Sequence, residues 1–342
     1  MLFSKIQGQD SAVATLCNAL AHDRLAHAYL FMGPAGVGKK QTALALAQAL
    51  LCDDQSRQGC DTCSSCAFVR AGSHPDMVFV TLETGKQSLG IDQIRELQRL
   101  LGLRPVRGQK KIVLLDEAHL LNAAAQSALL KMLEEPPGDA LLVLLTVNAA
   151  TLSRPLLSRC QQVRFSPLPV TVIEDLLVRE HGKDSTIAHA LALFSQGSIG
   201  RALTLDPQIF TEEWRYVEEE LQRLDEASFT ALSRLAEWLT ADRVKKSTNK
   251  GGDAEGRGAT SDRLELVLSW YESVLHYALL GPEAVVRHKD SLPVVAQAAS
   301  ALGADGALRQ LTVVYDTIQA LNRNANRQLA VEDMLLQLAS FR

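Results

Sequence analysis

A glycine-rich segment near the N-terminus carries the residue types that bind phosphate groups. Residues 33–40 read GPAGVGKK and match seven of the eight positions of the pattern G-x4-G-K-[ST]. In that pattern the glycines let backbone amides point at a phosphate, and the lysine, here Lys39, reaches the β- and γ-phosphates of a nucleotide. The loop glycines are Gly33, Gly36 and Gly38. These residues predict a phosphate-binding loop, with a glycine-rich turn that binds no ligand as the alternative.

The last position of the segment departs from the pattern. Lys40 stands where a Ser or Thr hydroxyl normally holds Mg²⁺. A lysine side chain has no lone pair to offer the metal, and its ammonium repels the cation. We therefore expect nucleotide binding by this loop to be vestigial or weak, and ATP hydrolysis to be absent.

A second motif belongs to the same chemistry. The apolar run Ile112–Leu115 is followed by Asp116 and Glu117. Downstream of a phosphate-binding loop, the first acid of such a pair holds Mg²⁺ and the second polarises the attacking water. The acids are present although the metal-binding hydroxyl is missing, so the two motifs disagree about hydrolysis. A pair of surface acids at a strand end is the alternative interpretation.

Four of the six cysteines are clustered in the sequence with the spacing C-x7-C-x2-C-x2-C. Four thiolates close a tetrahedral Zn²⁺ site and leave no open position for catalysis, so the predicted zinc is structural. Free or disulfide-linked cysteines are the alternative. The predicted ligands are Cys52, Cys60, Cys63 and Cys66.

Apolar strands alternate with helical patterns in the first half of the chain and must position these motifs. This alternation predicts an α/β fold with a parallel sheet covered on both faces. The predicted strands are His27–Met32, Met77–Leu82, Lys111–Leu115, Leu141–Val147 and Gln162–Phe165. The predicted helices include Thr42–Leu51, Ile91–Leu101 and Ala123–Glu134. We assign residues 1–166 to this domain, with the cysteine insert at 52–66.

The rest of the chain is predicted to be helical. Two short amphipathic patterns in residues 167–206 indicate a small helical lid, and longer ones in 207–342 indicate an all-α domain. Residues 245–262 are polar, rich in Gly and Ser and almost free of apolar side chains. That composition predicts a mobile loop inside the all-α domain.

Charge and hydropathy restrict the function classes. The formal net charge of -4 gives no overall attraction to DNA or membranes, and no apolar run is long enough to span a bilayer. The N-terminus lacks a signal-peptide pattern, so we expect a cytoplasmic protein with reduced cysteines and no membrane partner. A local basic cluster is either a contact for DNA phosphates or a solvated loop. Its residues are Arg104, Arg107, Lys110 and Lys111.

Four segments, taken in order, resemble the clamp-loader subunits of bacterial DNA polymerase III, which are AAA+ proteins. They are HAYLFMGPAGVGKK, the four-cysteine insert, DEAHLLNAAAQSALLKMLEEPP and LSRC. The resemblance covers about residues 5–205, and the string within 122–137 is its most discriminating part. It implies a RecA-like AAA+ parallel-sheet P-loop domain, a small helical lid and an all-α C-terminal collar that serves oligomerisation.

The resemblance also implies roles for single residues. In that family the motif Ser158-Arg159-Cys160 carries an arginine finger, so Arg159 is the predicted catalytic contribution, made in trans to a neighbour's nucleotide. Asn148 is the predicted polar sensor after the strand at 141–147. Arg201 resembles a second sensor but is displaced by one residue from the pattern of ATP-hydrolysing relatives.

The implied function is that of a clamp-loader subunit of the DNA polymerase III holoenzyme, supporting ATP-driven loading of the sliding clamp onto primed DNA. Because Lys40 argues against hydrolysis, we expect no autonomous catalysis by this component of a DNA-directed DNA polymerase, a nucleotidyltransferase. The implied partners are the delta and gamma/tau subunits, with primer–template DNA and the clamp contacted through the assembly. The alternatives are an active ATPase motor of the gamma/tau type and a zinc-dependent DNA-binding module on an inert P-loop scaffold.

Overall fold

The computed structural model describes residues 2–54, 59–135, 138–226, 229–241, 252–284, 291–323 and 325–340. The chain divides into two compact units, Met1–Leu205 and Asp206–Arg342. All of the predicted nucleotide and metal motifs lie in the first unit. The domain boundary predicted between 166 and 167 falls inside that unit.

A five-stranded sheet forms the centre of the first unit. Its strands are β1 (Ala28–Met32), β2 (Met77–Val80), β3 (Lys111–Leu115), β4 (Ala140–Thr146) and β5 (Gln161–Arg164). They are ordered β2-β3-β4-β1-β5, and every pairing is parallel. The parallel-sheet α/β fold predicted from the sequence is confirmed.

Helices cover both faces of this sheet and create two apolar cores. They are α1 (Asp10–Ala21), α2 (Lys39–Leu51), α3 (Ser64–Arg70), α4 (Ile91–Leu101), α5 (Ala123–Glu134) and α6 (Arg154–Arg159). Along β1, Tyr29 and Phe31 belong to one core, whereas Ala28 and Leu30 belong to the other. Successive side chains of a strand point to opposite faces, so a strand buried on both faces is apolar throughout.

Three short helices complete the first unit. They are α7 (Val170–Arg179), α8 (Ser185–Phe194) and α9 (Ile199–Thr204). Ile173, Leu177 and Leu191 belong to the small apolar core that these helices share. The hydroxyl of Ser198 caps α9 by accepting the backbone N–H of Arg201 at 3.1 Å, which fixes where the helix begins.

The second unit is helical over its described residues, as predicted. Its helices are α10 (Pro207–Gln222), α11 (Phe229–Thr240), α12 (Gly252–Leu280), α13 (Leu292–Asn322) and α14 (Arg327–Ser340). In its interior Arg263 Nε lies 3.3 Å from Glu213 Oε1, and the same guanidinium stacks over Trp238. Among the described residues of the whole chain, no helix combines the length and apolar composition needed to cross a membrane.

The mobile loop predicted at 245–262 is corrected in part. Residues 245–251 lie outside the described residues, but α12 begins at Gly252 and runs unbroken through the remainder of the predicted loop. An existing helix gains one hydrogen bond for each residue added to it. The buried segment that starts at Thr260, only 1% exposed, therefore supports helix in the polar residues before it. The amino-acid composition of 252–262 does not reveal that the following buried segment stabilises a helix there.

Candidate nucleotide cleft and metal centre

The phosphate-binding loop connects β1 to α2 at the carboxyl edge of the sheet. Gly36 and Gly38 have φ values of +68° and +100°, in the left-handed region that favours glycine. A Cβ on Gly33 would lie 2.3 Å from the carbonyl oxygen of Phe165, so a side chain does not fit there either. The backbone conformation and this close contact therefore require glycine at all three positions.

This loop lines a cleft of about 890 Å³ in the first unit. Asp116 and Glu117, which follow β3, line the same cleft. Glu117 has a left-handed φ of +51°, and its backbone N–H donates to Asp116 Oδ1 at 3.0 Å. The structure therefore brings together the two motifs that the sequence associates with a nucleotide.

Lys39 is turned towards its own loop. Its ammonium donates to the carbonyl oxygen of Gly33 at 2.6 Å and to that of Pro34. The residue is 8% exposed. Burial lowers the pKa of Lys39 to about 8, against an opposing attraction from Asp116. The sequence assigns the Lys39 ammonium to the nucleotide phosphates. In the structure this ammonium is hydrogen-bonded to two carbonyl groups of its own loop.

Lys40 forms an ion pair with the acid that the sequence assigns to Mg²⁺. Its Nζ lies 3.2 Å from Asp116 Oδ2, and the two side chains are 54% and 29% exposed. A cation placed on that oxygen neutralises the charge that would attract the metal. As an exposed pair it contributes at most about 1 kcal/mol to stability, so its significance is chemical rather than structural.

A second backbone segment closes on the apex of the phosphate loop. The N–H of Gly200, in the first turn of α9, donates to the carbonyl oxygen of Gly36 at 3.1 Å. A Cβ on Gly36 would lie 2.2 Å from Ser198 Oγ, and a Cβ on Gly200 would lie 2.9 Å from Gly36 Cα. Only two glycines can approach this closely.

The two residues predicted as sensors, Asn148 and Arg201, do not line the cleft. Asn148 is exposed, and its side chain accepts the backbone N–H of Ala150 at 3.0 Å, so it caps a short turn. Thr146, which is 1% exposed, lines the cleft instead. Likewise Gly200 lines the cleft at the second sensor, whereas Arg201 is not among its lining residues.

Gln9 was not anticipated from the sequence, yet it holds the phosphate loop in place. Its Nε2 donates to the carbonyl oxygens of Ser166 at 2.7 Å and Val37 at 3.2 Å, and its Oε1 accepts the Ser166 N–H at 3.1 Å. The side chain is buried, so these bonds are shielded from water. The only sequence signal is a polar residue just before α1.

Arg159 lies at the end of α6 and does not line the chain's own cleft. Its Nη2 is 2.6 Å from Glu134 Oε1, and its Nη1 donates to the carbonyl oxygen of Pro155 at 3.2 Å. The side chain is 39% exposed. This placement leaves the guanidinium at the surface, away from the phosphate loop of the same chain.

The four clustered cysteines converge on one point. Their Sγ atoms lie within 4.8 Å of one another, and Cys52 Sγ is 3.5 Å from Cys60 Sγ and 3.8 Å from Cys63 Sγ. Ligands at the Zn–S distance in a tetrahedron are about 3.8 Å apart, so the set, completed by Cys66, fits one zinc ion. Hydrogen bonds, chiefly from the Thr62 side chain, lower the pKa of Cys60 to about 6, whereas burial raises the pKa of Cys52 and of Cys66.

The basic cluster at 104–111 is largely engaged by its own chain. Lys111 is 6% exposed and bonds a backbone carbonyl, and Lys110 pairs with a carboxylate 3.1 Å away. Arg107 lies 5.5 Å from the centre of the Phe68 ring. Arg104 is exposed. These contacts favour a structured surface loop over a set of free phosphate ligands.

The similarity of this chain to known proteins decides its family. Residues 8–169 match the family described as DNA polymerase III, delta subunit. Over 324 residues the chain is 31% identical to the DNA polymerase III subunit delta' of Pseudomonas aeruginosa, covering 92% of each chain. The chain belongs to the DNA polymerase III delta' family. The clamp-loader resemblance noted in the sequence is thereby confirmed.

Other relatives agree with the delta' assignment. The delta' subunit of Bacillus subtilis is 29% identical over 335 residues, which cover 96% of each chain. The DNA polymerase III subunit tau of Escherichia coli is 33% identical over 212 residues, covering 60% of this chain and 32% of tau. Similarity to delta' thus extends over nearly the whole chain, whereas the match to this tau is confined to part of it.

Proposed function

We propose that this chain is a clamp-loader subunit of the DNA polymerase III holoenzyme that does not hydrolyse ATP in its own cleft. The ion pair between Lys40 and Asp116, 3.2 Å long, is the observation that carries the proposal. Hydrolysis of this class needs Mg²⁺ on the β- and γ-phosphates, held by a loop hydroxyl and an acid. Here the hydroxyl is replaced by an ammonium, and that ammonium sits on the acid.

The catalytic contribution of this chain is made in trans by Arg159. When water attacks the γ-phosphorus of a neighbour's ATP and the bond to the ADP oxygen breaks, negative charge spreads over the transferred group. A guanidinium from the adjoining subunit stabilises that charge. Both side chains of the ion pair between Arg159 and Glu134 are partly exposed, so the pair contributes about 1 kcal/mol or less to stability. A phosphate can therefore replace Glu134 as the partner of Arg159 at little cost.

The partners that follow are the delta and gamma/tau subunits. Primer–template DNA and the sliding clamp are contacted through the assembly. The cysteine centre holds a structural zinc, because its four sulfur ligands leave no position for a substrate. The helical second unit is the collar through which the subunits assemble, and the three short helices α7 to α9 form the lid.

Hydrolysis by the isolated chain is the first test. The purified protein should show no ATP turnover above that of its Lys39→Ala variant, with or without Mg²⁺. Turnover that the wild type has and Lys39→Ala lacks would overturn the proposal. This comparison removes contaminating ATPases, since they would remain in both preparations.

Reconstitution with delta and gamma/tau subunits is the second test. Omitting this chain should abolish clamp loading, and Arg159→Ala should reduce ATP turnover at the one site it serves by about 10³-fold or more. Assembly, measured by gel filtration, should be intact. Arg154→Ala, at the exposed start of the same helix, is the matched control. Equal turnover by the two variants would remove the trans role.

An active motor of the gamma/tau type is the second candidate. It is favoured by the retained Lys39, Asp116 and Glu117 and by the 33% identity to tau. A motor would bind nucleotide more tightly in Mg²⁺ than in a chelator. The proposed subunit gains little or no affinity from Mg²⁺, so one titration separates the two.

A further inference from the structure

The cysteine insert and the nucleotide cleft share one carboxylate, that of Asp61. This residue lies between the metal ligands Cys60 and Cys63. Its φ of +60° is left-handed, and its backbone is held between two members of the cysteine cluster. The insert therefore sets the position of this side chain.

Three side chains from outside the metal centre converge on Asp61. Lys5 Nζ lies 2.8 Å from Oδ2, Arg70 Nη1 lies 2.6 Å from Oδ1, and Gln48 Nε2 donates to Oδ1 at 3.4 Å. All three of these residues line the cleft that contains Lys39 and Asp116. One anion from the insert thus holds two cations and an amide of the cleft wall.

Gln48 gives a second, buried connection. It is 7% exposed and lies on α2, the helix that begins at Lys39. Its Nε2 also donates to the carbonyl oxygen of Cys66 at 3.2 Å. Both amide hydrogens are therefore directed at the insert. A buried amide that loses its partners is costly, so the setting of α2 depends on the insert being folded.

We propose that Asp61 is a positioning residue through which the metal at the four cysteines orders the wall of the nucleotide cleft formed by Lys5, Gln48 and Arg70. The coupling rests on the metal site of the proposed function. Metal bound to Cys60 and Cys63 fixes Asp61, and Asp61 fixes the wall.

Hydrogen–deuterium exchange of the whole chain tests the coupling. Removing zinc with a chelator should speed exchange in peptides covering 2–8 and 39–51, beyond the insert itself. Asp61→Asn keeps the shape of the side chain and removes its charge. It should retain one zinc per chain and still speed exchange at 2–8 by about two- to fivefold, the range expected for losing exposed ion pairs.

Asp53→Asn is the matched control. Asp53 lies in the same insert, but its carboxylate bonds Ser64 and Ser65 at the start of α3 rather than the cleft wall. It should leave exchange at 2–8 as in the wild type. A change at 2–8 equal to that of Asp61→Asn would overturn the assignment to Asp61.

Lys5→Gln approaches the same contact from the exposed side, with little risk to folding. Because coupling between binding free energies is reciprocal, it should weaken zinc binding, measured by equilibrium competition with a colorimetric chelator, by about two- to fivefold. If the protein contains zinc but exchange at 2–8 changes neither on chelation nor in Asp61→Asn, the coupling is wrong and the metal site is still supported. A purified chain without zinc overturns the metal site and the coupling together.

Discussion

The ammonium of Lys40 lies 3.2 Å from Asp116 Oδ2 and joins the first turn of α2 to the end of β3. In an Mg²⁺-dependent site a metal ion and two phosphates connect these two elements. Here a side chain makes the connection directly. Both acids line the cleft, but the ammonium of Lys40 already neutralises the negative charge of Asp116 that would attract a divalent ion.

Restoring the hydroxyl should restore a response to Mg²⁺. Lys40→Thr frees Asp116 and supplies an oxygen ligand, so the affinity for ADP should rise at least severalfold when Mg²⁺ replaces a chelator. Lys40→Met removes the ammonium without adding a ligand and should show no such gain. Calorimetric titration with and without Mg²⁺ measures both. Equal Mg²⁺ dependence in the two variants would contradict the role given to Lys40.

The buried ammonium of Lys39 should make stability depend on pH. Its pKa is about 8 in the folded chain, against 10.5 for the free side chain. Between these values the folded state releases the proton and the unfolded state keeps it, so the free energy of unfolding rises with pH. The gain relative to Lys39→Met should approach about 3 kcal/mol by pH 10.5. Urea unfolding of both proteins measures it, and a pH-independent difference would contradict the lowered pKa.

The contact between the phosphate loop and α9 should make Gly36 intolerant of a side chain. Gly36→Ala incurs the left-handed backbone cost of about 1–2 kcal/mol and also collides with Ser198 Oγ. Gly182→Ala is the control, because Gly182 has a φ of +60° with nothing within 4 Å of its Cβ position. Gly36→Ala should lower the free energy of unfolding by about 2 kcal/mol more than Gly182→Ala. Equal losses in urea unfolding would mean that the contact is looser than described.

The cysteine cluster should account for all of the bound metal. We expect elemental analysis to find about one zinc per chain and Cys63→Ser to bind it more weakly, since one of four thiolate ligands is replaced by a poorer oxygen ligand. The melting temperature should fall by roughly 2–4 °C for each kcal/mol of stabilisation lost. Cys17→Ser, on α1 outside the cluster, should keep the zinc. An unchanged zinc affinity in Cys63→Ser would exclude the four-sulfur site.

Elements with strong local signals were predictable. The sequence places β3 at Lys111–Leu115 and α4 at Ile91–Leu101, and the structure has the same bounds. Apart from its first residue, the strand β3 is a fully apolar run, and α4 is an amphipathic run bounded by glycines. Both patterns can be recognised within a few neighbouring residues. The cysteine spacing likewise predicted convergence because short chain segments limit where four thiols can go.

Features that depend on distant residues were not predictable. The bond from the Ala150 N–H to the Asn148 side chain depends on the backbone turn after β4, which the sequence pattern does not specify. The partner of Lys40 and the three bonds of Gln9 join residues far apart in sequence. The hydrophobic periodicity of a sequence carries no information about hydrogen bonds between such distant residues. The start of α12 was missed for a similar reason, since packing after Thr260 outweighs local composition.

The interior position of β1, between β4 and β5, has a consequence for biosynthesis. Its partners are β4 and β5, with Ala28 opposite Leu142 and Tyr29 opposite Gln161, so both strands leave the ribosome more than a hundred residues later. At synthesis rates of about 5–20 residues per second, that delay is on the order of 10 s. During it the nascent chain carries an apolar segment without a strand to pair with. Translation order, rather than final stability, therefore sets when this fold is most open to misassociation.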